Sequence, residues 1–344
     1  MMRLPAFRYV APASVAEAAK WLADAPGETM IVAGGTDLLP NMKRRQQVPK
    51  TVVGVRGIEA LRQVTNGSGY RIGAGVTLTA IVRDERLRAA LPGLWQAAAQ
   101  IATPHLRNMG TIGGNICLDT RCTYYDQSYE WRKAIDFCMK KDGETCWVAT
   151  SSPKCLAVSS TDTAPMLQAL GARVRLVSAA GEREVALEDL YQNDGIAYTT
   201  RRPDELLAEV IVPDPAGWRS TYWKLRRRGS FDFPVASIGA AVKLDAGGTV
   251  EDARIVAGAV ASRPMASPKA GALLVGQRLT DEVIEAAADA AYVVAKPMDN
   301  TDFELVWRKK MVKALTTYAL RELRGDDVSE LRNRIARQLL TVVS

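Results

Sequence analysis

Thr29-Met30-Ile31-Val32-Ala33-Gly34-Gly35-Thr36-Asp37-Leu38 decides how this chain is read, because a strand rich in β-branched residues runs straight into a glycine pair followed by a hydroxyl. Glycines let an anion approach the backbone and turn successive N–H groups toward it, so such a loop suits a phosphate. For one loop alone, a tight turn with no ligand is an equally natural reading. The stretch is neither the three-glycine dinucleotide fingerprint nor a nucleoside-triphosphate loop, since the third glycine and the Gly-Lys-Ser/Thr ending are missing.

Working outward, Phe7-Arg8-Tyr9-Val10 reads as a strand and Ser14 as the start of a helix. Ser14-Val15-Ala16-Glu17 is a capping box, Ala18, Ala19, Leu22 and Ala23 share one face, and Pro26-Gly27 ends the helix. Downstream, Val52 to Val55 and Tyr70 to Val76 read as strands with Asn66-Gly67 as the turn between them. Helices are expected from Thr77 to Val82 and from Pro92 to Ala102. The chain then enters a second polar, glycine-rich loop, Thr103 to Asn115. Two such loops in one α/β domain point to a phosphate or nucleotide ligand.

Beyond residue 158 the reading gives a loop, Ser159 to Pro165, a short helix, Met166 to Leu170, and strands at Arg173 to Val177 and Leu206 to Val212. Pro213-Asp214-Pro215 marks a domain boundary. Thr221 to Leu225, Val235 to Leu244 and Ala253 to Val260, with Asp245-Ala246-Gly247-Gly248 as a turn, read as a small antiparallel sheet. Helical patterns at 280–295, 304–324 and 327–341 place helices on one face of that sheet.

All 5 cysteines fall between Cys117 and Cys155, in a stretch with too many charges for a core segment. Cysteines used only as small hydrophobes are scattered, so this clustering points to a bound metal or cluster. No secretory signal precedes them, which predicts a cytoplasmic, reducing compartment and argues against disulfides. From Cys122 onward, successive cysteines are separated by 15, 7 and 8 residues, with no Cys-x-x-Cys, a spacing atypical of both zinc and iron–sulfur sites.

The remaining composition excludes more than it suggests. A chain of 344 residues, 47% hydrophobic, can bury a full core in two or three domains. No apolar run approaches the roughly 20 residues of a membrane span, and no membrane role is expected. The net charge of +7 is spread over short clusters such as Lys43-Arg44-Arg45, Arg226-Arg227-Arg228 and Arg308-Lys309-Lys310. That pattern weakly indicates nucleic acid and fits equally a bland basic surface or a face for an acidic protein. His105 is the single histidine, so histidine pairs for zinc are excluded, and it reads as a loop or interface residue.

With both loops in hand, the chain resembles, over nearly its whole length, the FAD-binding medium subunit of the molybdenum hydroxylase family, which includes xanthine dehydrogenase and carbon monoxide dehydrogenase. By that similarity Ile31, Val32, Ala33, Gly34, Gly35, Thr36, Asp37 and Leu38 form a first pyrophosphate loop. Gly110, Thr111, Gly113, Gly114 and Asn115 form a second, with the amides of both loops donating to the pyrophosphate. Ile101 lines the flavin pocket, and Asp162, Leu206 and Lys224 touch the flavin. The implied fold is α+β, α/β in part: a two-subdomain PCMH-type FAD-binding fold over 1–217, divided into 1–56 and 57–217, with a cysteine-bearing insert at 118–156. A smaller α+β domain with an antiparallel sheet and helices, of the CO dehydrogenase flavoprotein type, follows over 218–344.

The insert is the departure from ordinary members, and within the family it resembles the β subunit of 4-hydroxybenzoyl-CoA reductase, whose flavin domain carries an additional 4Fe-4S cluster. Cys117 sits two residues after Asn115, where members without the insert also continue, so the resemblance assigns the cluster to Cys122, Cys138, Cys146 and Cys155. It implies a relay that receives electrons from reduced ferredoxin and passes them through 4Fe-4S and FAD toward 2Fe-2S clusters and molybdenum on other subunits. There the phenolic hydroxyl of 4-hydroxybenzoyl-CoA is removed, and this chain carries no catalytic residue. The implied partners are a large molybdenum-cofactor subunit and a small 2Fe-2S subunit in a dimer of heterotrimers, with no nucleic acid. Three alternatives stay open: a structural zinc in the insert of another such hydroxylase, a zinc-bearing nucleic-acid module, and a self-sufficient flavin dehydrogenase.

Overall fold

The computed structural model describes residues 3–301 and 303–336. Three sheets organise them. The first is wholly parallel, with Thr51–Gly54 between Arg8–Val10 and Thr29–Val32. Val15–Asp24 supplies a crossover helix, whose start is capped by Ser14 Oγ accepting from the Glu17 amide at 3.1 Å. Leu22 of this helix packs with Val53, Val55 and Ile58.

The second sheet is antiparallel, in the order Val64–Gly67, Gly69–Gly73, Leu206–Pro213, Arg173–Ser178, Gly181–Ala186. The third is also antiparallel, in the order Met265–Ala266, Val250–Gly258, Ala236–Leu244, Trp218–Leu225. Between these two sheets lie Pro92–Ala99 and Thr163–Ala169, the latter buried at every residue. Ile72, Val174 and Val210 meet Leu94, Met166 and Leu167 on one side of this layer, and Tyr222, Ala241 and Val256 close it on the other. Gln96 Oε1 ties the layers together by accepting from the Tyr222 amide at 2.7 Å and the Thr221 hydroxyl at 2.9 Å.

The far face of the third sheet is covered by Asp281–Val294 and Leu305–Arg324, which bury Ile284, Ala287, Leu315 and Ala319 against Trp223, Ile238 and Ile255. The fold is thus α+β, as expected: a parallel and an antiparallel sheet in the first part of the chain and a helix-covered antiparallel sheet after it. Among the described residues no helix is long and apolar enough to cross a membrane.

The structure departs from the sequence expectation locally. Asn66-Gly67 is not the turn: both residues pair in the ladder, with Tyr70 and Gly69, and the reversal falls on Ser68. Gly69, at φ +127°, supplies the backbone conformation the reversal requires. The stretch 103–115 contains two short helices, Pro104–Arg107 and Ile112–Ile116, each started by a threonine side chain. Elements also occur at Glu85–Ala90, Gly181–Ala186 and Pro268–Leu274, where none was expected. Of the expected helix at 327–341, Ser329–Leu331 and a wider turn Arg332–Ala336 are observed, and the remainder lies outside the described residues.

Arg308 fixes the last long helix to the sheet. Its guanidinium is fully buried and donates to the carbonyls of Val235 at 3.2 Å, Met298 at 2.9 Å and Ala259 at 2.7 Å. A planar fork with several donors suits three carbonyls arriving from different directions, whereas a lysine is a point donor. Arg308→Met should therefore cost roughly 3 kcal/mol or more of stability, read as a lowered urea midpoint, and Arg308→Lys should recover only part of it.

Candidate functional site

The first glycine loop leaves the carboxyl end of the Thr29–Val32 strand, the usual location of ligands on parallel sheets. Its backbone donors are open. Among the described residues, the amides of Ala33, Gly34, Gly35, Thr36, Asp37 and Leu38 make no hydrogen bond to another backbone group. The second loop differs, and here the expectation of a donating backbone is corrected. Ile112 N–H is taken by Val76 O at 3.0 Å, Gly113 N–H by Ala74 O at 2.9 Å, and Asn115 N–H by Thr111 O at 2.9 Å. Gly114 N–H goes to Thr111 Oγ1 at 3.1 Å. Of the amides from Thr111 to Asn115 only that of Thr111 has no partner among the described residues, so the second loop presents mainly shape and the first most of the donors.

The glycines divide in the same way. A Cβ on Gly34 would lie 1.9 Å from the Met109 carbonyl oxygen, and one on Gly113 would lie 2.6 Å from Ala74 Cβ. Those two glycines admit neighbouring protein. Gly114 faces only Thr111 Oγ1, at 3.2 Å, and leaves the cavity open beside it. Asn115 Oδ1 accepts from Thr161 Oγ1, Thr163 Oγ1 and Thr163 N at 2.7–3.0 Å, which ties the second loop to the segment carrying Asp162.

One large cavity is walled by Ile31, Val32, Ala33, Gly34, Gly35, Thr36, Asp37 and Leu38, by Gly110, Thr111, Gly113, Gly114 and Asn115, and by Ile101, Asp162 and Leu206. Lys224 lies one layer behind it. Its ammonium is fully buried and donates to Asp162 Oδ2 at 3.2 Å, Gln100 O at 3.1 Å and Asp232 O at 3.0 Å, while Tyr222 Oη donates to Asp162 Oδ1 at 2.8 Å. Burial pushes the Asp162 carboxyl up and the Lys224 ammonium down, and each charge opposes the other's shift. Lys224 thus acts on the cavity through Asp162. His105 is exposed on its short helix, outside the cavity wall.

Sequence reading missed Asp119, Tyr198, Arg201, Phe231, Asp232 and Phe233, which complete the wall. They come from loops scattered between residues 119 and 233, about a third of the chain, and carry no local motif. Asp119 belongs to the cysteine segment. The neighbouring Arg121 reaches Asp37 Oδ1 at 3.7 Å and Asp126 Oδ2 at 3.3 Å, with its guanidinium 4.1 Å from the centre of the Phe233 ring. The cysteine segment thus contacts the first glycine loop directly.

The insert is clamped on several sides. Gln46 Nε2 donates to Tyr125 O, Arg132 Nη2 to Arg44 O at 3.0 Å, and Asn300 Nδ2 to Leu156 O at 2.5 Å. Within it Cys122, Cys138, Cys146 and Cys155 are free thiols, each 5–6% exposed. All four line one small space together with Tyr124, Tyr125, Met139, Lys140 and Val148. Burial pushes the Cys122 thiol up to about 12 and that of Cys155 up to about 11. The sulfurs wall a space without converging on a point: among the described residues no group of three or more His, Cys, Asp or Glu side chains is set to hold a metal ion. Cys117 stands apart, in the wall of the large cavity.

The chain matches two family models in series, the FAD binding domain in molybdopterin dehydrogenase over residues 5–215 and the CO dehydrogenase flavoprotein C-terminal domain over residues 220–323. It is 31% identical over 326 residues to the aldehyde oxidoreductase FAD-binding subunit PaoB of Escherichia coli, covering 92% of this chain and 99% of that one. It is 30% identical to the carbon monoxide dehydrogenase medium chain of Afipia carboxidovorans, over 91% and 95% of the two chains. Among solved structures it superposes on reconstituted CO dehydrogenase from Oligotropha carboxidovorans with a TM-score of 0.78 at 28% identity, covering 95% of this chain and 100% of that one.

Asp37 has a measurable consequence. Burial, reinforced by Asp119, raises its carboxyl from 3.8 to about 6 against the opposing pull of Arg121. Between those two values the native state keeps a proton that the unfolded chain has released, so this group lowers stability as pH rises through that window. Asp37→Asn should raise the stability of the flavin-free protein at pH 7 by roughly 1–3 kcal/mol and leave it nearly unchanged at pH 4, as read by urea denaturation across pH.

Proposed function

This chain belongs to the FAD-binding medium subunits of the molybdenum hydroxylase family, and from that premise we propose that it is a flavo-iron–sulfur subunit, with FAD at the glycine loops and one 4Fe-4S cluster on Cys122, Cys138, Cys146 and Cys155. The observation that carries this reading is the segregation of the cysteines. Four inserted thiols surround one buried space, while the fifth, Cys117, stays in the flavin cavity. Four sulfurs around a space suit a cluster, whose irons need room, better than a lone zinc, whose four thiolates converge at about 2.3 Å.

The chain's own residues fit FAD. The open amides of Ala33 to Leu38 form an anion cradle that no backbone acceptor among the described residues fills. Leu22, Val55, Leu61 and Ile101 give an apolar wall beside it, and Phe231 and Phe233 lie at the cavity against the third sheet's loop. Asp162, fixed by Lys224 and Tyr222, holds a defined acceptor in that wall. FAD when bound takes up and releases electrons singly or in pairs, which suits exchange between one-electron centres and a two-electron reaction.

The larger assembly follows the same reading. We place this chain beside a large molybdenum-cofactor subunit and a small 2Fe-2S subunit, in a cytoplasmic dimer of heterotrimers served by ferredoxin. The reaction of that complex is reductive removal of the phenolic hydroxyl of 4-hydroxybenzoyl-CoA, on a site this chain does not contribute. The resemblance of the cysteine insert supports this choice over an ordinary hydroxylase.

Protein purified without oxygen should contain FAD and about four irons and four sulfides per chain. Alanine at Cys122, Cys138, Cys146 or Cys155 should remove the iron and the low-temperature paramagnetic signal of the reduced protein, whereas Cys117→Ala should keep both. Loss of iron in Cys117→Ala with retention in one of the other four refutes the ligand set, and zinc in place of iron refutes the electron-transfer role. The chain alone should not turn over an aromatic thioester, and dehydroxylation by the isolated chain refutes the role of carrier.

A further inference from the structure

A buried ion pair links the lining of the flavin cavity to the lining of the space walled by the four thiols. Lys140 Nζ donates to Asp119 Oδ1 at 2.7 Å, Thr120 Oγ1 at 2.6 Å and Gly195 O at 2.6 Å, so all three of its protons are committed and the ammonium is fixed. The two side chains are 6% and 10% exposed. Asp119 Oδ2 accepts from Tyr125 Oη at 3.1 Å and from Gln47 Nε2 at 3.2 Å, which fixes the carboxylate as well.

The pair has a direction. Lys140 lines the thiol space and not the flavin cavity, whereas Asp119 lines the flavin cavity and not the thiol space. The Lys140 ammonium also lies 4.8 Å from the centre of the Tyr125 ring, which walls the thiol space, and 5.6 Å from that of Tyr198, which walls the flavin cavity. Lys140 thus belongs to the lining of the thiol space, with its ammonium turned onto Asp119, Thr120 and Gly195, and Asp119 belongs to the lining of the flavin cavity. Water and counterions have little access to either charge, so both act on their neighbours with little screening.

We infer that Lys140 and Asp119 form a polar partition that sets the reduction potentials on its two sides, Lys140 favouring added electrons at the four cysteines and Asp119 disfavouring them at the flavin loops. This rests on the two-cofactor reading above. Adding an electron on the thiol side adds negative charge next to a fixed ammonium, which stabilises the reduced state. Adding electrons on the flavin side sets negative charge against a fixed carboxylate. The partition thus raises the potential of the first site relative to the second. Both residues are positioning groups that touch no substrate.

The test is an anaerobic redox titration of the whole complex, with the cluster followed by paramagnetic resonance and the flavin by absorbance. Lys140→Met leaves the carboxylate unpaired and should lower the cluster potential. Asp119→Asn leaves the ammonium uncompensated and should raise the potentials of both cluster and flavin. Each change should reach at least tenfold in the reduction equilibrium, about 59 mV for a one-electron couple. Lys140→Arg keeps the charge and should restore the wild-type cluster potential.

Opposite signs in the two charge-removing variants are something a merely loosened fold does not produce. Shifts of the same sign, or shifts below tenfold in both, overturn the partition. If Lys140→Met fails to hold iron, Asp119→Asn decides alone, and an unchanged or lowered cluster potential overturns the inference. Absence of iron from the wild-type complex overturns the two-cofactor reading and this inference with it, whereas iron present with unmoved potentials refutes only the partition.

Discussion

The contact between Gly34 and the Met109–Gly110 backbone is the constraint on which the site depends. With the Met109 carbonyl oxygen 1.9 Å from where a Cβ would stand, no other residue fits at 34 without driving the two glycine loops apart. That contact joins the parallel sheet, whose strand feeds the first loop, to the helical layer over the antiparallel sheet, whose elements carry the second. The loops then divide the labour. The second spends its amides on Val76, Ala74 and Thr111 and becomes a rigid wall, while the first keeps its donors open toward the cavity.

Behind that wall, charge is buried in pairs. Lys224 and Asp162 are both removed from water, and each ion alone would carry a desolvation penalty of several kcal/mol. Three carbonyl or carboxylate acceptors around the ammonium and the Tyr222 hydroxyl on the carboxylate satisfy the remaining valences. The carboxylate is thereby held in one orientation in the cavity wall. Because Lys224 stands on the third sheet and Asp162 precedes the buried central helix, the pair also couples the orientation of the site to the packing of the two domains.

The cysteine segment is built into this frame and is not a surface appendage. Asp119 and Arg121 reach the first loop, Gln46 holds Tyr125, and Asn300 from the third sheet's side holds Leu156. The Cys122, Cys138 and Cys146 carbonyls sit in tight turns, accepting from amides three to five residues ahead, and the Cys155 thiol accepts from the Ala157 amide. Such turns hold thiols in place by local backbone geometry while the aromatic and aliphatic neighbours keep water out. A chain 31% identical to an aldehyde oxidoreductase FAD-binding subunit thus packs four buried thiols beside its cavity within a fold that superposes on CO dehydrogenase with a TM-score of 0.78.

The sequence by itself determined the elements whose signals are local. The capping box at Ser14, the strand into Gly34-Gly35, the two glycine loops and the strands of the third sheet are all written in residues that act on their immediate neighbours. The confinement of all five cysteines to one stretch was equally legible, as was the difference between Cys117 and the other four once the loop before it was recognised. Only the tertiary structure decided which amides are free, because whether Gly113 N–H meets a ligand or Ala74 O depends on a strand far from it in sequence. The same holds for Asp119, Tyr198 and Arg201 in the cavity wall, for Lys224 standing behind Asp162, and for the direction of the Lys140–Asp119 pair. These are relations between distant segments, fixed by packing, and no local pattern of side chains encodes them.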